Sequence, residues 1–465
     1  MIKRYYSISL VLFSLFFLSL SGCATYYQKN KKYQSLVSQG KFDKARTHLE
    51  KDTRAKEGKN KILYYLNEGW VKYMTQDYDG SIKSFETANN LIADYQKNYA
   101  LGALSYLINP KVIPYQANDV ENVMVNYYKA LDFMLTNRYQ EALVEAKQIT
   151  NKLYTINDKY KKYKNHYSDD AFAHIMVGLL YDANNDYNNA FIAYRNALKV
   201  YKEVYSNNFG IDAPEQLKKD ILRTAYLTGF RDEVRRYEQE FNMKYNHKDH
   251  DGGYIVFLWE NGFGPIKDEW SINFSIIRGT GGIVTFENEE LGLSFPFPAT
   301  GSGNDDFSDL EFIRVAFPKY VERKPVLTDA YCEINGKKYT LELAEDINAI
   351  EFKTLNDQML RTLANSLLRL AAKKAIEYTA RNENENIGAA LGIVNAITEQ
   401  ADTRNWQTLP HSIYYTRIPV PAGENQIDFK ANGHMGSTQD SFIINVGKGQ
   451  TKFFDYRSLE SNSAY

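Results

Sequence analysis

Cysteine is nearly absent from this chain: there are two in 465 residues, Cys23 and Cys332. Two such distant thiols make no disulfide framework of the kind that staples small exported domains. Histidine occurs only seven times, and a metal-ligand grouping is confined to His247, His250 and Asp251 in the polar connector "NHKDHDGG". No further histidine cluster completes that set, so neither a metal nor any other cofactor is expected. A surplus of positive charge is also missing, with 56 Lys and Arg against 57 Asp and Glu. That balance gives no electrostatic basis for nucleic-acid binding. Long apolar runs are absent beyond the first 20 residues or so, and the run there, Ile8 to Leu20, is shorter than the roughly 20 residues that cross a bilayer.

What is there starts with that short run. Lys3 and Arg4 precede it and Leu20-Ser21-Gly22-Cys23 closes it, the order of a secretory signal. The closing tetrad resembles the bacterial lipobox, which implies a signal peptide of residues 1–22, diacylglycerol on the Cys23 sulfur and a mature chain that begins at Cys23. Each buried methylene adds about 0.8 kcal/mol and two acyl chains hold a protein stably at a membrane. Ala24 stands where an aspartate would imply inner-membrane retention, and "ATYYQKNKKY" carries no acidic export signal. The expected address is therefore the periplasmic face of the outer membrane. Cys332, in the strand-like "VLTDAYCEI", is expected to be a single buried thiol.

After a tether of residues 23–29, residues 30–245 carry a degenerate repeat. In "AHIMVGLLYDANNDYNNAFIAYRNALKVY", Gly178, Tyr181, Tyr187, Ala190, Tyr194 and Ala197 resemble the tetratricopeptide pattern, with His174 in the place of its tryptophan. Gly178 and Ala190 let two antiparallel helices approach while Tyr181 and Tyr194 fill the space beside them. Gly69, Tyr78, Phe85 and Ala88 repeat the spacing, with Ser81 as the small residue. Ala130, Phe133, Tyr139, Ala142 and Ala146 do so again. Weaker copies run through Phe42, Ala45 and Leu49 and through Phe230 and Tyr237. Every interval between the turn aromatics exceeds the usual repeat of about 34 residues, so the array is irregular. Pro110 and Pro114 argue for a loop in "GALSYLINPKVIPYQANDVEN".

From residue 250 to 465 the period changes from helical to alternating, with short β-rich runs between Gly, Pro, Asn and Asp. An antiparallel, β-sandwich-like domain is expected, interrupted at 345–402 by a helix hairpin. Its first helix carries the stripe Leu355, Met359, Leu363, Leu367 and Leu370, widened by Leu360, Ala364, Leu368, Ala371 and Ala375. Its second is the small-residue "IGAALGIVNAITEQ", where Gly388 and Gly392 permit close contact. The fold class is thus α+β multidomain.

"IVFLWENGFGPIKDE", "IRVAFPKY" and above all "ADTRNWQTLPHSIYYTRIPVPAG" resemble the C-terminal signature of an uncharacterised family of bacterial tetratricopeptide lipoproteins. The resemblance implies architecture and envelope location but no catalytic residues. Asp402, Arg404, Trp406 and Pro410 lie in its most distinctive motif, where an Asp–Arg pair and a Trp would fix the return from helix to sheet. Chemistry is otherwise thin. "RGTGG" and "TGSGNDD" lack the strand-to-helix setting of a phosphate loop and read as hairpin turns. Glu260 before Asn261-Gly262 and the pair Asp305-Asp306 are carboxylates of the type that glycan hydrolysis uses, but sequence does not give the separation that such chemistry demands and they read as exposed turn acids; no nucleophile elbow is present. The expectation is a non-enzymatic, membrane-tethered scaffold for an envelope protein partner, since stacked helix pairs present extended surfaces to peptides or helices. The competing readings are a surface glycan-binding lipoprotein of the starch-utilisation SusD class and a cell-wall hydrolase or metalloenzyme.

Overall fold

A computed structural model describes residues 24–99, 111, 113–159, 165–247, 251–278, 283–298, 312–383, 400–434 and 436–463. Cys23, His250, Asp305, Asp306 and the second expected helix, with Gly388 and Gly392, lie outside the described residues.

The chain opens with the short α1 (Tyr26–Lys29) and then builds helix pairs: α2 (Lys31–Ser38) with α3 (Phe42–Glu50), and, after the short α4 (Thr53–Glu57), α5 (Lys61–Met74) with α6 (Tyr78–Tyr99). The next pairs are α7 (Asp119–Leu135) with α8 (Tyr139–Lys159) and α9 (Ala171–Ala183) with α10 (Tyr187–Val200). One π-helical turn, Tyr201–Tyr205, runs into the short α11 (Ser206–Phe209), and α12 (Glu215–Thr228) pairs with α13 (Arg231–Phe241). The turn aromatics read from the sequence mark the second helix of every pair: Phe42, Tyr78, Tyr139 and Tyr187 open theirs and Phe230 caps the last. Just before each stands a residue in the left-handed region: Gly40, Gln76, Asn137, Asn185 and Gly229. That conformation reverses the chain tightly enough to set the second helix against the first. The N-terminal half is a tetratricopeptide-like array.

The β region holds β1 (Gly253–Asn261), β2 (Ile266–Arg278), β3 (Ile283–Asn288), β4 (Leu293–Pro298), β5 (Phe312–Val321), β6 (Asp329–Ile334) and β7 (Lys337–Asp346). The long helix α14 (Ile347–Glu383) interrupts it before β8 (Ser412–Val420), β9 (Gly423–Gly433), β10 (Gly436–Val446) and β11 (Thr451–Ser458). Seven strands form one sheet in the order β10-β9-β6-β7-β8-β1-β11, and four form another in the order β4-β3-β2-β5. Pairing is antiparallel except that β11 lies parallel to β1, from Tyr254 opposite Thr451 to Asn261 opposite Ser458. β4, "LSFPFP", was not evident from sequence, because two prolines dilute the alternation.

β1 accounts for the architecture. Its continuous apolar run is buried on both sides, as expected of a strand with both faces covered. Ile255, Phe257 and Trp259 point into the core of the seven-stranded sheet with Cys332, Ile418 and Phe429. Val256 and Leu258 point the other way, into a core shared with the helices through Trp70, Phe85, Tyr128 and Phe172. Cys332 is fully buried and unbridged. The four-stranded sheet packs Ile272, Phe274, Ile276 and Phe317 against Leu363 and Leu367 of α14, with Met359 beside them, all three from the expected stripe.

Candidate functional site

The largest concentration of buried polar chemistry lies where the array meets the seven-stranded sheet. The first helix of every pair contributes. Gln34 of α2 donates to Gln407 (3.0 Å), Tyr73 of α5 bonds Asp455, and Glu121 of α7 accepts from the Trp406 backbone N–H (2.6 Å). Phe172 of α9 meets Tyr415 at 6.4 Å, and the Gln216 N–H of α12 donates to Glu342 (2.8 Å).

The glycine-aromatic pairs of the repeats are what carry the second helices to this seam. A Cβ on Gly69 would stand 2.8 Å from the Phe85 ring, and one on Gly178 would stand 2.4 Å from the Tyr194 ring. Without those carbons each ring passes its first helix. Phe85 stacks on Tyr128 and meets Trp406, both at 5.6 Å, and Tyr194 reaches Arg417 of β8. Ala88, Ala130, Ala142, Ala190 and Ala197 are buried in the pairs. Tyr78 packs on Tyr73, Lys147 covers Tyr181, and the Tyr187 hydroxyl donates to Asn185 in its turn. Tyr139 bonds the Thr451 carbonyl (3.0 Å) and packs on Phe453 of β11.

At one end of the seam, Asp402 and Arg404 pair at 2.7 Å. Arg404 also donates to Asn60 Oδ1 (3.1 Å) and the Ile113 carbonyl (3.2 Å), so it ties the loop of residues 400–411 to the array. The Trp406 ring packs against both Phe85 and Tyr128 at 5.6 Å, and its indole N–H donates to Thr408 Oγ1 (2.8 Å). Pro410 is buried at the return into β8. Asn118 caps α7 with Glu121 in a reciprocal box, and its amide donates to Glu351 of α14 (3.0 Å). Glu351 also accepts from Tyr320, and burial, followed by the Glu121 charge, raises its carboxyl to about 7.

At the other end, Arg417 Nε donates to Asp220 (2.8 Å) and Nη2 donates to Asp182 (2.7 Å) and to the Tyr194 hydroxyl (3.0 Å). Arg223 closes on the same Asp182. Burial pushes Asp182 up, but the two guanidinium groups outweigh it and hold the carboxyl below its ordinary value. The π turn belongs to this region: Tyr201 bonds the Ala344 carbonyl (2.7 Å) and Tyr205 bonds Glu345 (2.9 Å). Burial raises both Glu345 and the neighbouring Asp170, which accepts from Tyr167 (2.6 Å).

Glu260 corrects a sequence expectation. It is not a turn acid: it sits inside β1, 0 % exposed, 3.2 Å from Arg457 of β11. Burial raises it, opposed by Arg457. Arg457 further donates to the carbonyls of Gly262 (2.8 Å) and Thr408 (3.2 Å). Sequence reasoning missed Arg417, Glu260 and Arg457 as seam residues. The available signal was a charge inside an otherwise apolar strand, "YIVFLWEN" or "SIYYTRIPV".

These groups are arranged for cohesion: Asp182, Asp220, Asp170, Glu345 and Glu351 are hydrogen-bonded to a guanidinium, a hydroxyl or an amide, as burial demands, and Glu260 has the charge of Arg457 beside it without a hydrogen bond among the described residues. Between α7, α9 and β7 there is a void of only about 10 Å³, lined by Asp170 and Glu345, enough for one water. Among the described residues no three His, Cys, Asp or Glu side chains are grouped to hold a metal.

The fold is therefore that of a tetratricopeptide-like array closed on one side by a β domain. No known protein-family model matches the chain, and no curated protein matches it. Among solved structures it is similar to MamA of AMB-1, at 14% identity over 46% of this chain and 87% of MamA, with a TM-score of 0.29. It is similar to the apo form of RapI at 13% identity, over 49% of this chain and 56% of RapI, with a TM-score of 0.34. A kinesin-light-chain protein of Podosopora anserina with nearly identical TPR-like repeats matches at 13% identity, over 46% of this chain and 91% of that one, with a TM-score of 0.30. The array assignment rests on the chain's own helix pairs.

Proposed function

We propose that this protein is a non-catalytic interaction scaffold, tethered by lipid on Cys23 to the periplasmic face of the outer membrane, whose protein partner docks on the second-helix side of the array. One observation carries the side of docking: the first helix of each pair is committed to the chain's own β domain through Gln34, Tyr73, Glu121, Phe172 and Gln216. The second helices reach the β domain through the inward rings Phe85, Tyr139 and Tyr194 and expose Val144 and Tyr154 of α8 and Ile192 of α10 to solvent, Tyr154 at 78 % exposure. An exposed aromatic side chain such as Tyr154 is of the kind enriched among interface anchors. The tether is supported by the basic head, short apolar core and lipobox-like close of the first 23 residues.

Photo-crosslinking amino acids at Tyr154 and Ile192, read in intact cells, test the docking side. A discrete protein adduct from either position, with none from a control at Phe352 of α14, is the expected result. No adduct under several growth conditions overturns the reading. Cys23→Ala tests the tether separately, with the protein expected to leave the membrane fraction.

A further inference from the structure

The seam between α6, α7 and α8 carries two lysines in opposite circumstances. Lys129 of α7 has its counter-charges built in: its ammonium bonds Glu86 of α6 and lies 2.8 Å from Glu145 of α8. Two helical turns along the same seam, Lys152 of α8 takes the equivalent place. There α6 and α7 supply only carboxamides and a carbonyl: Asn89 Oδ1 at 2.7 Å, Asn122 Oδ1 at 2.8 Å and the Asn122 carbonyl at 2.9 Å. Among the described residues no carboxylate lies within ion-pair distance of Lys152. A cleft of about 220 Å³ opens beside it, lined also by Gln148, Asn151 and Thr155, with Ile92 on its apolar wall. Those three acceptors take up the ammonium's three N–H groups but not its charge, which attracts an anion into the cleft, while the amide and hydroxyl groups around it can donate to that anion.

We propose that this cleft is a binding site for a carboxylate group, which Lys152 holds as the counter-charge that Glu86 and Glu145 provide to Lys129. The volume admits a group of a few heavy atoms and not a folded surface. The carboxylate therefore belongs to a small acid or to the free end of a peptide. Burial, and then the charge of Lys129, lowers the Lys152 ammonium to about 7, with Glu145 and Glu86 opposing from α8 and α6. A bound carboxylate restores the favoured charged form, so binding takes up protons near neutral pH. The site stands apart from the protein-docking reading, and either can fail without the other.

The test is calorimetric titration of the full chain at pH 7 with acetate, N-acetylglycine, N-acetylglycinamide, and a pentapeptide with a free or an amidated C-terminus. Acids are expected to bind and the corresponding amides not to. Binding of N-acetylglycine identifies a small acid, whereas binding of the free-ended peptide alone identifies a chain terminus. Lys152→Gln is expected to weaken binding about tenfold or more. Equal binding of acid and amide, equal binding by Lys152→Gln, or no heat with any acid at millimolar concentration overturns the proposal. Should Lys152→Gln fail to fold, NMR of wild-type chain carrying ¹³C-labelled lysine gives the same answer. The Lys152 titration midpoint is expected to rise by about one pH unit or more with saturating acid, and an unmoved midpoint overturns the site.

Discussion

At the α9–α12 end of the seam Asp182 stays ionised because Arg417 and Arg223 lie against it, whereas Glu345, Asp170 and Glu351, hydrogen-bonded to hydroxyls and amides without a guanidinium, are pushed toward the neutral acid by burial. Both arrangements satisfy the hydrogen-bonding needs of a buried carboxyl, but they respond to opposite perturbations. An ion pair fails when a partner is removed or when acid protonates the carboxylate. A neutral acid fails when base ionises it in a place that cannot solvate the charge.

The sharpest way to break the comparison is Arg417→Met. It leaves Asp182 and Asp220 buried with one guanidinium fewer, and loss of one partner of a buried pair costs about 3–5 kcal/mol. Chemical denaturation is expected to show a loss of that size, partly recovered in the double variant with Asp182→Asn. Without recovery, the charge account of this end is wrong.

Gly178→Ala is next. Its Cβ would stand 2.4 Å from the Tyr194 ring, and overpacking costs about 1–3 kcal/mol. If the ring reaches through the helix to serve the seam, Gly178→Ala and Arg417→Met will be non-additive in a double-mutant cycle, because displacing Tyr194 disturbs the hydroxyl that Arg417 contacts.

The smallest effect is one of pH. The Glu351 carboxyl rises from an ordinary 4.5 to about 7 in the folded chain. Its contribution is therefore present in full below about 4.5 and is lost as pH rises through about 7. Glu351→Gln keeps the bonds to Tyr320 and Asn118 without a charge to expose. The variant is expected to lose less stability than wild type between pH 5 and 8, measured by thermal unfolding across that range. An unchanged slope would mean that Glu351 is not the titrating group. Asp182 behaves in the opposite sense: its contribution is present above its ordinary value and disappears as pH falls through the depressed folded one.

The five helix pairs could be read in the sequence because a turn, a glycine and an aromatic ring act over a dozen residues, within one local unit. The strands were legible for the same reason, as alternation within six to ten residues, and β4 was not because Pro296 and Pro298 interrupt it. Trp406 and the Asp402–Arg404 pair stood out as a motif, but their partners did not. Asn60, Ile113 and Glu121 lie hundreds of residues away, and no local periodicity refers to them.

Sequence by itself thus determined the order of the parts: a short apolar run closed by Cys23, an irregular helical array, and a β region with a long helix inserted. These follow from hydrophobic period and turn chemistry, which act along the chain. Only the tertiary structure decided that β11 would lie parallel to β1, and that Gly69 and Gly178 would admit rings into a shared seam. It alone showed that Glu260 and Arg417 are interior groups, and that Lys152, unlike Lys129, meets carboxamide and carbonyl oxygens rather than a carboxylate among the described residues. Those outcomes depend on which charges burial brings together across long stretches of chain, and the cost of an unpaired charge is set only once its neighbours are in place.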